Sequence, residues 1–295
     1  MKKIGKGALN NLNLKQQFPV LVIKKFFVAF IFFYSIVKTY AQNVTVPDTM
    51  TKSGSLALKG LLWRPSGTGK FPAIIFCHGG YRDSESIRDL VLGPVFAKHG
   101  YIFLFLFRRG VGLSQGQGVN SSDLIDKAFK EKGQDERNKV QLQQLETDQL
   151  QDMIGGLTLL TVRKDVDTNR VAVVGVSFGG SLALLLAEHE AGLKTAILFS
   201  PAGYGWDRSP QLRIRLIRAV KNISAPIMII HAQNDYSINH GTVLDSVMNQ
   251  LRKPHLLKIY PKLGNSPSEG HNLINLSIVT WEKDVFDFLD KSLKH

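Results

Sequence analysis

The sequence predicts an α/β fold, with a mostly parallel central sheet and helices on both faces, and three observations predict it. Short, nearly continuous apolar runs recur along the chain, as strands buried on both faces of a parallel sheet require. Stretches of helical pattern separate most of these runs, and that alternation marks parallel sheets joined by crossover helices. The composition, 44% hydrophobic and 21% charged, is that of a globular chain and excludes disorder as its main state. A length of 295 residues suits one large α/β domain.

The first element reads as a targeting signal over residues 1–41. Lysines precede an apolar run from Phe26 to Val37, and Ala41 is a small residue at a plausible cut site. Residues 26–37 are fewer than the roughly 20 that a helix needs to span a bilayer. The expectation is therefore a cleaved signal and a secreted or periplasmic protein. The alternative is an uncleaved anchor at residues 26–37, the one way in which the chain would contact a membrane. The formal charge of +13 falls to +6 once the seven lysines before residue 42 are set aside. No basic run interleaved with aromatics follows, so nucleic-acid binding is not expected.

Residues 42–295 then read as a single domain. Ser53 to Pro65 is a strand or hairpin arm, and Phe71 to Cys77 is a strand buried on both faces. A helix is expected from Ile87 to Lys98, weakened by Gly93-Pro94, and a strand from Tyr101 to Phe107. The polar stretch at about 119–144 breaks the rhythm. It leaves the carboxyl end of a strand, where open α/β sheets place their ligand crevice, so it reads either as a roof over the site or as a solvated hairpin. Helices follow at 145–162, 178–189, 242–251 and 280–293, and strands at 171–176, 195–200, 226–231 and 256–260. The lone cysteine, Cys77, has no partner for an intramolecular disulfide and reads as a buried thiol.

The chemistry concentrates at Gly175-Val176-Ser177-Phe178-Gly179-Gly180, between a buried strand and an apolar helix. That context is a nucleophile elbow: the sharp turn lifts the serine hydroxyl above the sheet, and side chains two residues either side would collide with neighbouring elements. A serine needs a base, and the base needs an acid to orient it. Asp235 lies just past a buried strand, and His271 follows in a polar loop. Asp207 competes as the acid. His99, His189 and His231 fit worse as the base, His231 because it still lies within a strand run. The backbone N–H of Phe178 supplies one oxyanion donor. The loop His78-Gly79-Gly80-Tyr81 supplies the second, through the N–H of Gly80 or Tyr81. Tyr204, Trp206 and Tyr236 are candidates for a pocket wall. No metal-ligand spacing or phosphate loop is found, and no cofactor is implied.

In these residues the chain resembles α/β-hydrolases of the dienelactone-hydrolase and prolyl-oligopeptidase-like group, over roughly residues 56–289. The resemblance rests on His78-Gly79-Gly80, Arg109-Gly110-Val111-Gly112-Leu113-Ser114-Gln115-Gly116, Gly175 to Gly180, Asp235 and His271. It implies the α/β-hydrolase fold and a stretch after Arg109 that packs beside the site, with a structural arginine. Such chains commonly carry an Asp two positions before that arginine. Phe107 stands there in this chain, so Arg108 or Arg109 must find another acid. Dienelactone hydrolases use a cysteine nucleophile, which Ser177 replaces. Peptidases of the oligopeptidase group carry a propeller ahead of the hydrolase domain. Only residues 42–55 separate the signal from the first strand, which favours an esterase.

The expected function is thus hydrolysis of small carboxylic esters through an acyl-enzyme. A small peptidase or amidase with the same triad is one alternative, and a catalytically silent binding protein on this fold is another. Substrate identity and oligomeric state are not legible in the sequence.

Overall fold

A computed structural model of the protein describes residues 44–45, 50–80 and 85–294. The expected targeting segment and Tyr81 lie outside them. Among the described residues nine strands form one sheet: β1 (Val44–Thr45), β2 (Met50–Ser53), β3 (Leu56–Trp63), β4 (Phe71–Cys77), β5 (Ile102–Leu106), β6 (Val166–Val176), β7 (Ala196–Phe199), β8 (Ile227–Ala232) and β9 (His255–Tyr260). The spatial order is β1-β3-β5-β4-β6-β7-β8-β9, with β2 also on β3. From β5 to β9 every neighbouring pair is parallel, and β1, β2 and β3 form the antiparallel margin.

The apolar runs form strands because both faces of the sheet are covered. In β4, Ala73, Ile75 and Cys77 enter one core, while Ile74 and Phe76 enter the other. The first core packs against α3 (Asp148–Thr161), α4 (Phe178–His189), the short α5 (Gly205–Arg208), α6 (Pro210–Asn222) and α7 (Asn239–Gln250). The second packs against α1 (Leu92–Lys98), the short α9 (Leu273–Leu276) and α10 (Ile278–Leu293), where Trp281 sits edge-on to Phe199. In α4, Leu182, Leu184, Leu185 and Leu186 are all fully buried, each worth about 1.5–3 kcal/mol in area removed from water.

Three segments depart from the sequence reading. The expected helix at 87–98 begins as a 3₁₀ stretch, Glu85–Val91, before α1. The polar stretch at 119–144 is not a hairpin. It is the helix α2 (Ser121–Glu146), broken at Gly133 and started by Asn120, whose side chain accepts from the Ser122 N–H. Its polar composition hid a buried stripe that includes Ile125, Ala128, Gln141 and Leu145. The third departure is α6, which pattern reading passed over although Ser209 caps it and Pro210 opens it. Among the described residues no helix is long and apolar enough to cross a membrane.

Candidate active site

β6 is central in the sheet, and the chain turns sharply where it ends. Ser177 holds φ 57° and ψ −120°, a conformation that side chains rarely adopt. Tight packing imposes that turn. A Cβ at Gly175 would lie 2.2 Å from the Gly179 carbonyl oxygen, and one at Gly179 would lie 2.0 Å from the Cys77 carbonyl oxygen at the end of β4. With glycine at both places, α4 starts directly against the sheet and Ser177 stands at its N-terminus. The first N–H groups of a helix lack intrahelical partners and carry its positive end. Phe178 is the first residue of α4, so its N–H belongs to that set.

Asp235 follows β8 and its carboxylate is buried, as is His231, while His271 and Tyr236 beside it are half-buried. Oδ1 accepts from His271 Nδ1 and from the Tyr236 N–H, both at 2.7 Å, and Oδ2 accepts from His231 Nδ1 at 2.8 Å. Burial alone would raise this carboxyl. The hydrogen bonds from His231 and His271 outweigh it and hold the group well below the usual carboxylate range. Asp235 is therefore an anion that accepts at both oxygens, and each imidazole must carry its proton on Nδ1. In a ring that carries only that proton, His271 Nε2 is the lone-pair nitrogen, on the side away from Asp235. Asp207, the competing acid, accepts from Asn239 Nδ2 at the surface and does not reach His271.

His271 is not in an open loop. It ends the short helix α8 (Pro267–His271), whose start is a capping box: Ser266 Oγ accepts from the Glu269 N–H, and Glu269 accepts from the Ser266 N–H. Asn234 ties this segment to the Asp235 turn. Its Nδ2 donates to the carbonyls of Leu263 and Ser266, each at 2.8 Å, and its Oδ1 accepts from the Leu263 N–H at 2.9 Å. Asn234 and Glu269 thus hold Asp235 and His271 in register. Sequence reading assigned neither a role, although the Ser-x-x-Glu spacing before His271 is the capping signal.

Ser177 and His271 meet at one point of the crevice. A Cβ at Gly203 would sit 3.3 Å from Ser177 Oγ, 3.2 Å from His271 Cε1 and 3.6 Å from His271 Nε2. No hydrogen bond joins the hydroxyl to the imidazole in this geometry, and such contacts tighten on substrate binding. Both side chains line a pocket of about 410 Å³ that also includes Gly80, Phe178, Tyr204 and Tyr236. Tyr204 stacks on Tyr236, ring centroids 4.0 Å apart, and Tyr236 packs on His271 at 4.7 Å. Trp206 does not line the pocket; it is buried against His240. Ser122, Ile125, Asp126, Arg137 and Gln141 of α2 form one wall, so the polar stretch belongs to the site. Arg137 is pushed below its ordinary value by burial and then by the like charge of Arg208.

The His78–Gly80 loop is set by Arg108. His78 is fully buried, and burial, then the Arg108 charge, hold it well below its ordinary value and so neutral. Arg108 Nη2 donates to the carbonyls of His78 and Gly79, each at 2.8 Å. A trans peptide points its N–H opposite to its carbonyl, so the Gly80 N–H faces away from Arg108. Gly80 lies beside Phe178, where an added Cβ would be 3.7 Å from the Phe178 Cβ. Arg109 finds two acids from α3: it bonds Asp152 at 2.7 Å and Asp148 at 2.6 Å, in place of a partner at Phe107. Cys77 is buried, and burial pushes its thiol up to about 12 against an opposing pull from Arg108.

His231, Asp235 and His240 offer ligand atoms within 4.8 Å of one another, a spacing that would suit a metal. Both oxygens of Asp235 are already taken by N–H donors, and a cation there would have to displace the imidazole protons. The donor set therefore fits a hydrogen-bonded array better than a ligand set.

The family model for dienelactone hydrolases matches residues 58–266. No curated protein is similar enough to match the sequence. Among solved structures, an acylaminoacyl peptidase of Pyrococcus horikoshii superposes with a TM-score of 0.65 at 18% identity, over 88% of this chain and 44% of the peptidase. An esterase of Pyrococcus furiosus gives 0.62 at 14% identity, over 87% and 93%. A dienelactone hydrolase of Anabaena variabilis gives 0.59 at 17% identity, over 85% and 100%. The chain thus spans less than half the length of the peptidase. At these identities the likeness establishes the fold, which is that of the α/β-hydrolases.

Proposed function

Because the chain belongs to the dienelactone hydrolase family and is therefore a hydrolase, we propose that it cleaves small carboxylic esters through an acyl-enzyme formed on Ser177. The observation that carries this reading is the convergence at Gly203, where Ser177 Oγ and His271 Nε2 flank one point of the pocket with Asp235 behind the imidazole.

Each step follows from a named group. His271, holding its Nδ1 proton on Asp235, takes the Ser177 proton at Nε2 as Oγ attacks the ester carbonyl. The imidazolium so formed is stabilised by the anionic Asp235. The oxyanion of the tetrahedral intermediate accepts from the N–H of Phe178 and from the N–H of Gly80, whose peptide Arg108 orients. His271 returns its proton to the leaving alkoxide. Water, deprotonated by the same imidazole, then attacks the acyl carbonyl; the bond to Ser177 Oγ breaks, Oγ takes the proton back from His271, and the acid leaves. The α2 wall covers one side of the bound ester and, with Tyr204 and Tyr236, limits its size.

The test compares purified wild type with Ser177→Ala, using a fluorophosphonate probe and p-nitrophenyl acetate. Wild type labels and turns over; Ser177→Ala does not label and loses at least about 10⁴-fold in kcat. A folded wild type that neither labels nor hydrolyses any ester would overturn the reading in favour of a binding protein. Faster cleavage of aminoacyl p-nitroanilides than of esters would replace esterase by peptidase.

A further inference from the structure

The Asp235 carboxylate carries a second imidazole that the reaction above does not use. His231 is the fifth residue of β8 and is fully buried, on the face of the sheet covered by α7. A histidine so placed must have its N–H groups answered, because an unpaired buried donor is costly. Its Nδ1 donates to Asp235 Oδ2 at 2.8 Å, opposite to the oxygen that His271 holds at 2.7 Å. The rest of the ring fits a prepared slot. A Cβ on Gly241, near the start of α7, would lie 2.7 Å from both Cδ2 and Nε2 of His231, so only glycine leaves room for the imidazole. The His240 ring closes the other side, edge-on at 4.4 Å between centroids. Nε2 of His231 meets no hydrogen-bond donor there, as expected for the ring nitrogen that carries no proton.

We infer that His231 is a positioning residue, which locks the plane of the Asp235 carboxylate so that Oδ1 stays aimed at the His271 Nδ1 proton; this rests on the triad reading proposed above. A carboxylate on a two-bond stem rotates freely unless both oxygens are held. Tyr236 N–H and His271 hold only Oδ1. Without His231, Oδ2 would be a buried anionic oxygen with no donor, and the group would turn to share the remaining ones.

The test begins with the wild-type protein, using long-range ¹H–¹⁵N correlation on uniformly labelled material. His231 must appear as the Nδ1–H tautomer, and the His271 Nδ1 proton must be strongly deshielded, as a charge-assisted hydrogen bond requires. His231→Leu then lowers kcat for p-nitrophenyl acetate about tenfold to 100-fold, the scale of one hydrogen bond to a charged group, with KM unchanged. The deshielded His271 resonance is lost with it. His231→Asn keeps a donor nitrogen near the Nδ1 position and restores both. A core histidine with a packing role alone would lower the melting temperature in His231→Leu and leave the His271 resonance and kcat of the folded protein unmoved; that result overturns the inference. So does an Nε2–H tautomer in the wild type, which needs no variant to fold. Failure of the triad reading is distinct, since Ser177→Ala would then retain turnover.

Discussion

Replacing Asp235 by Asn removes one charge and one acceptor from a carboxylate that serves three donors. The Tyr236 donor is a backbone N–H and cannot change its role, so the amide oxygen must take the Oδ1 position, facing Tyr236 and His271. The amide nitrogen then faces His231, whose Nδ1 can accept only if the ring moves its proton to Nε2, a buried position without an acceptor, so this side of the change costs stability. His271 consequently keeps the productive tautomer, and what is lost is the anion that stabilises the imidazolium. At about 4 Å between charge centres and an effective dielectric of about 20, that interaction is worth about 4 kcal/mol. At about 1.4 kcal/mol per decade, kcat falls about 10³-fold. A substitution that also forced the wrong tautomer would cost more, about 10⁴-fold as in serine proteases. The assay is initial-rate hydrolysis of p-nitrophenyl acetate by wild type and Asp235→Asn, with urea denaturation to show that both are folded. Activity within tenfold of wild type in the folded variant would refute the assignment and move the acid elsewhere, Asp207 first.

Two further predictions concern the supports of the site. Arg109→Ala strands Asp152, a fully buried carboxylate that would keep only the residue 109 N–H and the Ser53 hydroxyl as donors. Loss of one partner of such a pair costs about 3–5 kcal/mol, read as a fall in the urea midpoint, and a cost below about 1 kcal/mol would remove Arg109 as the support of its loop. Cys77 stays a thiol in the folded protein, so Ellman's reagent at pH 8 reacts only after denaturant is added. Its folded value of about 12 lies above the ordinary 9.0, so the folded state binds the proton more tightly than the unfolded chain does. The stability this contributes is complete below about pH 9 and declines as pH rises toward about 12. Cys77→Ser abolishes that alkaline component, and an unchanged slope between those limits would contradict the burial argument.

The elbow was legible because its constraint is local. Gly175 and Gly179 flank a serine between an apolar run and an apolar helix, and the collisions that exclude side chains there involve elements adjacent in sequence or paired to them. The Ser, Asp, His order was legible because strand ends of a parallel sheet deliver residues to one rim. The α2 wall was not legible as a helix. It buries only a narrow stripe of mixed character, Ile125 and Ala128 with Gln141, so its apolar period is weak. His231 reads as a strand residue, which is where it sits; that its ring reaches the carboxylate four residues later depends on the turn after β8 and on the empty space at Gly241.

By itself, the sequence determined the strand-and-helix alternation and the strained turn at Ser177, since each follows from residue types within a few positions of one another, and it singled out Asp235 and His271 as the acid and base proposed here. Tertiary structure alone decided which acids Arg109 binds, that Arg108 turns the Gly79 carbonyl and so aims the Gly80 N–H, and that two imidazoles share one carboxylate. These contacts join residues tens of positions apart, or turn on side-chain direction. They are selected by packing, because a buried charge or donor takes whichever partner the close-packed sheet and helices bring within about 3 Å.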